Sequence, residues 1–229
     1  MRESAAVNRG VRAVSLSSLL SQPSALLVVD MQNDFCHPQG GFAKRGVQLS
    51  PPVNELVDNL DQLIAGARAW QVPIFFIRME NGVWTDSPSW RQRVKVGPSA
   101  QELPTCAEGS WGAEFHGVAP TSDDRLIVKH RYSAFVDTEL DLCLRALEVR
   151  TLVVAGVVTN VCVESTARDA FMKDYFVVTA ADCCAANSQQ EHDAALFTLD
   201  RYFGSVASSE DILRNWKEVE KREAVNQGN

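Results

Sequence analysis

The stretch TLVVAGVVTNVCVEST, residues 151–166, decides how this chain folds. Its first part, 151–155, is apolar and rich in β-branched residues, which predicts a buried strand. Gly156 then opens a turn, and the pair Thr159-Asn160 is suited to cap a new helix. Cys162 is therefore expected in the first helical turn, where unpaired N–H groups and the helix dipole lower the pKa of a thiol. The stretch predicts a reactive cysteine just after a strand.

The same order of strand and helix recurs along the chain. Nearly continuous apolar runs, typical of strands covered on both faces, lie at 25–29, 74–77, 126–128, 152–155 and 176–179. Helices are predicted over 52–70, 140–147, 161–175, 191–203 and 209–220. Repetition of strand, helix and strand favours right-handed crossovers. The sequence predicts an α/β fold, a three-layer α/β/α sandwich with a mainly parallel central sheet.

Length and composition fit one domain. The chain has 229 residues, of which 45% are hydrophobic and 22% charged, enough for a single full core. We expect one domain over residues 23–220, a flexible N-terminal tail over 1–22 and a frayed C-terminal tail over 221–229. Residues 80–122 are rich in Pro, Gly, Ser and Trp without periodicity, so we expect them to wall or cover a pocket.

Charge and cysteine usage narrow the class of partner. The net charge is −7 and the pI about 5.1, which argues against nucleic acid and anionic membranes as partners. No apolar run approaches the ~18 residues of a membrane span, and residues 1–22 lack the apolar core of a signal peptide. The six cysteines do not have the density of a disulfide-stapled secreted domain. We expect reduced thiols, a cytoplasmic location and a small-molecule ligand.

Three chemically different side chains stand at predicted strand ends. Asp30 follows the first strand, Lys129 ends the third, and Cys162 follows the fourth. Ligands of open parallel sheets bind at the carboxyl ends of strands, so these side chains meet if the strand order brings them together. The sequence spacing alone does not show that the three side chains meet. Asp30 could instead cap the end of a strand, Lys129 could be a solvated amine, and Cys162 could be a small core residue.

The sequence around these residues resembles the isochorismatase-like cysteine hydrolases, which include nicotinamidases, N-carbamoylsarcosine amidohydrolases and ureidoacrylate amidohydrolases. The resemblance runs from about residue 24 to residue 203 and is strongest to the ureidoacrylate amidohydrolases. It is carried by VDMQN at 29–33, ENG at 80–82 with Trp84, RYS at 131–133 and TNVCVEST at 159–166. The resemblance implies metal-independent hydrolysis of a C–N bond through a covalent intermediate on cysteine.

The resemblance also implies roles for individual residues. Asp30 would take the thiol proton, Cys162 would attack the substrate carbonyl, and Lys129 would favour the thiolate. A cis peptide is expected between Val157 and Val158, with the N–H groups of Val158 and Cys162 forming an oxyanion hole. Substrate contacts are expected from Gln32, Asn81, Trp84 and Tyr132. A homo-oligomer is expected as well.

No cofactor and no metal are expected. Nicotinamidases that resemble this chain carry a divalent ion on an Asp-x-His…His set, whereas the sequence after the second strand here reads RMEN, residues 78–81. The histidines are scattered at His37, His116, His130 and His192.

The substrate class has one favoured interpretation and three alternatives. The favoured one is amide hydrolysis of a small linear ureido or N-carbamoyl compound, such as ureidoacrylate, biuret or triuret. The alternatives are hydrolysis of another small amide, as in nicotinamidases; vinyl-ether hydrolysis of isochorismate, against which Cys162 argues; and a non-catalytic binding protein.

Overall fold

A central parallel sheet organises the chain. The structure, a computed structural model, describes residues 14–92 and 105–227, with side chains to residue 219. The strands are β1 (Ser24–Val29), β2 (Ile74–Met79), β3 (Arg125–Lys129), β4 (Thr151–Val157), β5 (Phe176–Ala185) and β6 (Ser205–Ala207). Within the described residues they pair in the order β3-β2-β1-β4-β5-β6, and every pair is parallel.

Helices cover both faces of this sheet. They are α1 (Leu16–Leu20), α2 (Asn33–Cys36), α3 (Gly41–Lys44), α4 (Val53–Ala69), α5 (Pro88–Arg91), α6 (Leu140–Ala146), α7 (Glu164–Met172), α8 (Gln189–Tyr202) and α9 (Ser209–Gln227). One apolar core contains the buried side chains of α4 and α9, and a second contains those of α6, α7 and α8. The predicted three-layer α/β/α sandwich is therefore confirmed.

The central strands are buried on both sides, as their apolar runs predict. In β1, Leu26 and Val28 belong to one core while Leu27 and Val29 belong to the other. In β3 the cover is only partial, since Leu126 and Val128 are half-buried while Ile127 is buried, because β3 is an edge strand. The sequence analysis also missed β6, a half-buried strand of three residues at the opposite edge.

The direction of the chain reverses between β1 and β4. From β1 the chain moves outward through β2 and β3, and then β4 pairs on the other side of β1. A crevice opens at the carboxyl ends of two strands where such a reversal occurs. Asp30 and the turn that carries Cys162 come directly after these strands.

Both chain ends differ from the predicted tails. Residues 16–20 form helix α1, with Leu19 and Leu20 buried and the side chain of Ser15 accepting from the N–H of Ser18. The prediction of a flexible tail is wrong for this segment, because its two leucines pack into the core; residues 1–13 lie outside the described residues. At the other end, α9 runs to Gln227, past the predicted boundary at residue 220.

Several large apolar side chains remain exposed on α6, α7 and α8. They are Leu142, Phe171, Met172, Phe197 and Tyr202. Exposed apolar surface of this kind is typical of subunit contacts, and the homo-oligomer stays a prediction.

Crossing a membrane needs a helix that is both long and apolar. No helix among the residues that the structure describes meets both conditions.

The close approach of β1 and β4 requires a glycine. Gly156 has φ +114°, and a Cβ there would collide with the carbonyl oxygen of Val29. We expect Gly156→Ala to lower the free energy of unfolding by about 3 kcal/mol or more, from backbone strain and overpacking together. Urea denaturation of the variant and the wild type measures this loss.

Gly46→Ala is the matched control. Gly46 also has positive φ, +75°, but an added Cβ meets nothing within 4 Å. The free energy of unfolding of Gly46→Ala should fall by only ~1–2 kcal/mol, the cost of left-handed backbone strain alone. Equal losses in the two variants would contradict the argument from close approach.

Candidate active site

A buried ion pair lies at the carboxyl end of the sheet. Lys129 Nζ lies 2.8 Å from Asp30 Oδ2, and both side chains are fully buried. Lys129 Nζ also donates to the carbonyl oxygen of Arg131 at 3.0 Å. Asp30 has φ 52°, a left-handed conformation that aspartate adopts more readily than most residues, and its N–H donates to Ile77 O. The backbone after β1 thus places a carboxylate beside the amine that ends β3.

Cys162 sits in a wide helical turn between β4 and α7. This turn spans Thr159–Val163, and Cys162 is 4% exposed. The prediction that Thr159-Asn160 caps the helix is wrong: the cap position is Val158, without a side-chain hydrogen bond. The peptide between Val157 and Val158 is cis, as predicted.

The three side chains meet. The thiol of Cys162 lies close enough to Asp30 and Lys129 for both side chains to shift its pKa. Neither carboxylate oxygen of Asp30 has a hydrogen bond of favourable geometry within the described residues. Catalytic hydrogen bonds are often poorly aligned before substrate binds. The strand order therefore brings the three side chains together, which the sequence spacing alone did not establish.

Burial sets the ionisation of this group. It raises the pKa of the Cys162 thiol; Lys129 opposes this shift and Asp30 adds to it. Burial also raises the pKa of Asp30, against the opposing effect of Lys129. For Lys129, burial lowers the pKa, but the charges of Asp30 and Cys162 outweigh it and raise the pKa overall. The expectation of a lowered thiol pKa is therefore wrong, because loss of solvent outweighs the neighbouring cation.

Two threonines anchor the turn of Cys162 to other elements. Thr166 Oγ1 donates to the carbonyl oxygen of Cys162 at 2.7 Å and accepts from the N–H of Ala134 at 3.1 Å. At the other end, Thr159 Oγ1 lies 2.9 Å from Nδ1 of His192 on α8. The sequence analysis missed these anchors, since both partners are distant in sequence.

Gln32 does not offer its side chain to a ligand. Its Nε2 donates to Met79 O at 2.9 Å and to Ala113 O at 2.8 Å, and its Oε1 accepts from the N–H of Met79. The buried amide is thus used to hold the end of β2 and a 3-10 turn at Trp111–Ala113. The structure contradicts the predicted substrate contact and gives Gln32 a supporting role beside Asp30.

Asn81 is engaged in a similar way. Its Nδ2 donates to Thr105 O at 2.5 Å, and its Oδ1 accepts from Trp90 Nε1 at 2.7 Å. Asn81 also forms a β-bridge with Ala107. Its side chain therefore ties together the two described parts of the segment 80–122, whereas the sequence analysis assigned it to substrate.

Trp84 is 93% exposed, and its contact with substrate stays a prediction. Trp90 takes the inward position: its ring lies 4.7 Å from that of Tyr132, and the guanidinium of Arg131 lies 5.1 Å from it. The signal for this was present in Ser87-Pro88, a capping serine followed by proline that begins helix α5. Tyr132 thus belongs to an aromatic cluster next to the Lys129 strand, and its substrate contact stays a prediction.

Cys106 is a second buried thiol beside the triad. It has φ 54°, its N–H donates to Asp34 Oδ2 at 2.7 Å, and its Sγ lies 3.7 Å from Gly112 O. Burial raises its pKa, with further increases from Asp30 and Asp34, so it is held as a neutral thiol. Residues 93–104, between Trp90 and Cys106, lie outside the described residues, and the role of the whole segment as a lid stays a prediction.

The histidines do not converge on the triad. His37 packs edge-on against Trp111 and His116, and His130 contacts the carbonyl oxygen of Glu80 through Nδ1. No group of three or more His, Cys, Asp or Glu side chains in the described part of the chain is arranged to hold a metal ion.

A cavity of about 470 Å³ lies at the other end of the sheet. It is lined by residues that precede the strands, among them Pro23 and Pro73, and by Trp70 and Trp216. It contains none of the triad, so it is not the candidate active site.

Comparison with known proteins identifies the family of this chain. The isochorismatase domain family matches residues 24–211. The chain belongs to the isochorismatase family. Among curated members, the ureidoacrylate amidohydrolase RutB of Pseudomonas syringae pv. syringae is 34% identical over 211 residues, which cover 86% of this chain and 84% of the relative. RutB of Klebsiella pneumoniae subsp. pneumoniae is 35% identical over 210 residues, covering 85% and 87%.

Solved structures of the family share the architecture. A cysteine hydrolase from Pseudomonas syringae pv. phaseolicola aligns with a TM-score of 0.73 and 29% identity, over 91% of this chain and 97% of that one. A pyrazinamidase/nicotinamidase from Streptococcus mutans aligns with a TM-score of 0.68 and 25% identity, over 80% and 99%. The resemblance seen in the sequence is confirmed, and the chain is a hydrolase of this family.

Proposed function

We propose that the chain is a cysteine-dependent amidohydrolase that cleaves a C–N bond of a small linear ureido or N-carbamoyl compound. The observation that supports this most is the convergence of a thiol, a carboxylate and an ammonium at one buried point. A nucleophile beside a base, with a third group orienting the base, is the arrangement that covalent acyl transfer needs.

Asp30 is the proton acceptor in the first step. The thiol of Cys162 is held protonated by burial, so its nucleophile forms only when a base takes the proton. The Asp30 carboxylate accepts this proton while the sulfur bonds to the substrate carbonyl carbon, and the carbonyl π electrons move to oxygen. Lys129 keeps its charge and stabilises the negative charge that remains.

Two backbone N–H groups stabilise the oxyanion. The N–H groups of Val158 and Cys162 donate none of the turn, loop and cap hydrogen bonds found in the described residues. In the proposed mechanism they donate to the oxygen of the tetrahedral intermediate, and one such donor is typically worth about 2.7–4 kcal/mol.

Collapse of the intermediate breaks the C–N bond. Asp30 returns the proton to the departing nitrogen, which leaves as an amine or ammonia, and the acyl or carbamoyl group stays on sulfur. Asp30 then takes a proton from water, whose oxygen bonds to the thioester carbon. The C–S bond breaks, the acid is released, and Asp30 returns the proton to sulfur, which restores the thiol and the carboxylate. Every step uses side chains that the site already holds together.

Size and relatives indicate the substrate class. Cys162 is only 4% exposed, which favours a small molecule over a peptide or polymer. The two RutB relatives are named for the hydrolysis of ureidoacrylate, a ureido compound. Vinyl-ether hydrolysis is disfavoured by the cysteine, and a non-catalytic binding role is disfavoured by the intact triad.

Removal of the thiol tests the nucleophile. We expect Cys162→Ser to lower kcat by at least about 10³-fold, because residues that act as a unit fail together. The assay is ammonia release from ureidoacrylate, biuret, triuret, N-carbamoyl amino acids and nicotinamide. Cys143→Ser, at a half-buried thiol on helix α6, is the control and should keep full activity.

Two results would contradict the proposal. One is ammonia release by Cys162→Ser at the wild-type rate, with circular dichroism showing both proteins folded. The other is a wild type that turns over nicotinamide but no ureido compound, which would keep the nucleophile and reject the substrate class.

The pH dependence of turnover reports on Asp30. The carboxylate must be ionised to accept the thiol proton, and burial raises its pKa above the ordinary value of 3.8. As pH falls through this raised pKa, Asp30 becomes protonated and kcat/KM should fall, with a midpoint above 3.8. A pH profile of kcat/KM, with folding followed in parallel, measures the midpoint. Constant kcat/KM down to that value in a folded enzyme would contradict the assignment.

A further inference from the structure

A buried polar pair holds the start of the turn that carries Cys162. Thr159 is fully buried and His192 is 4% exposed. Thr159 Oγ1 lies 2.9 Å from His192 Nδ1, and this contact joins positions 33 residues apart in sequence. It connects helix α8 to the first residue of the turn Thr159–Val163.

The threonine hydroxyl is not used where a helix start normally uses it. A threonine at the beginning of a helix ordinarily caps a nearby backbone N–H. Here the turn has no side-chain cap, and Val158 O accepts instead from the N–H groups of Val161 and Val163. The hydroxyl contacts another helix, α8. It therefore fixes the position of the turn relative to the rest of the protein and does not stabilise the turn internally.

Cys162 is therefore held from both sides. Upstream, Thr159 is bound to α8 through His192; downstream, Thr166 binds the carbonyl oxygen of Cys162 and the N–H of Ala134. The N–H of Cys162 and its thiol lie between these two anchors. Small displacements of reacting groups reduce rates strongly, since a shift of about 1 Å can cost about 10²-fold.

His192 can perform this task without placing a charge near the triad. Burial lowers its pKa, with a smaller opposing effect from Asp193, so the ring is neutral at neutral pH. A neutral imidazole has one donor and one acceptor nitrogen, and either suits a hydroxyl.

We propose that Thr159 and His192 form a positioning pair that sets the attack geometry of the Cys162 thiol and N–H. This inference rests on the proposed function of Cys162 as nucleophile. Neither residue touches substrate in this account, and both act through the turn.

The variants Thr159→Val and Thr159→Ser distinguish the effect of the hydroxyl group from the effect of side-chain packing. Valine keeps the shape and removes the hydroxyl, whereas serine keeps the hydroxyl. We expect Thr159→Val to lower kcat by about 10-fold to 10²-fold with KM within about 3-fold of the wild type, because geometry and not binding is lost. Thr159→Ser should retain at least about a third of the wild-type kcat on the same grounds.

His192→Leu tests the other half of the pair. It should lower kcat by a similar factor, and the double variant with Thr159→Val should lose no more than the larger single loss, since both remove one interaction. Wild-type kcat in Thr159→Val, even with reduced thermal stability, would overturn the proposal. Fully multiplicative losses in the double variant would overturn it as well.

A readout without substrate keeps this test separate from the proposed function. Alkylation of Cys162 by iodoacetamide, followed by peptide mass mapping, reports on the position of the thiol. We expect the rate to change in Thr159→Val and to stay near the wild type in Thr159→Ser. If the wild type hydrolyses no amide in the panel, the proposed function fails, whereas equal alkylation rates in both variants would reject the positioning pair.

Discussion

The buried ion pair between Asp30 and Lys129 is the interaction on which the rest of the site depends. Both side chains are fully buried, and removing two such charges from water costs several kcal/mol per ion. Their mutual attraction offsets that cost only if the sheet delivers both partners to one point. The centre strand β1 supplies the acid and the edge strand β3 supplies the amine, and β4, on the far side of β1, brings the thiol to them.

In the proposed mechanism this pair also explains how a deeply buried cysteine reacts. Loss of solvent alone would keep the Cys162 thiol protonated and inert. Lys129 works against that effect, and Asp30, whose own pKa is raised by burial, is a better proton acceptor than an exposed carboxylate. The main contribution of the helix start is the backbone N–H groups of the turn. Its effect on the acidity of the thiol is smaller. In the proposed mechanism, reactivity therefore depends on three residues and not on the cysteine alone.

The parts of this account that the sequence predicts are those governed by local pattern. Apolar runs predicted five of the six strands, and the chemistry of strand ends selected Asp30, Lys129 and Cys162. The strand β6 has only three half-buried residues, so it carries no such pattern. In β5 the strand continues to Ala185 past a register shift, beyond the apolar run that marked it.

Side-chain partners were the harder part, because they depend on long-range contacts. The side chain of Gln32 donates hydrogen bonds to residues 47 and 81 positions away in sequence, and local sequence patterns do not reveal such contacts. Trp84 and Trp90 look alike in an aperiodic segment, and only the short helix α5 turns the second one inward. The anchors of the catalytic turn, Thr159 on His192 and Thr166 on Ala134, are invisible for the same reason.

In the proposed mechanism the Lys129 cation counteracts the effect of burial on the Cys162 thiol and so makes this thiol reactive. The direct measurement is the pH dependence of Cys162 alkylation in the wild type and in Lys129→Met, which keeps most of the side-chain volume and removes the charge. Because the charge of Lys129 lowers the pKa of this thiol, the midpoint should move to higher pH in the variant, while Lys173→Met, at an exposed ion pair, should leave it unchanged. A midpoint that stays in place or moves to lower pH in Lys129→Met would contradict the account.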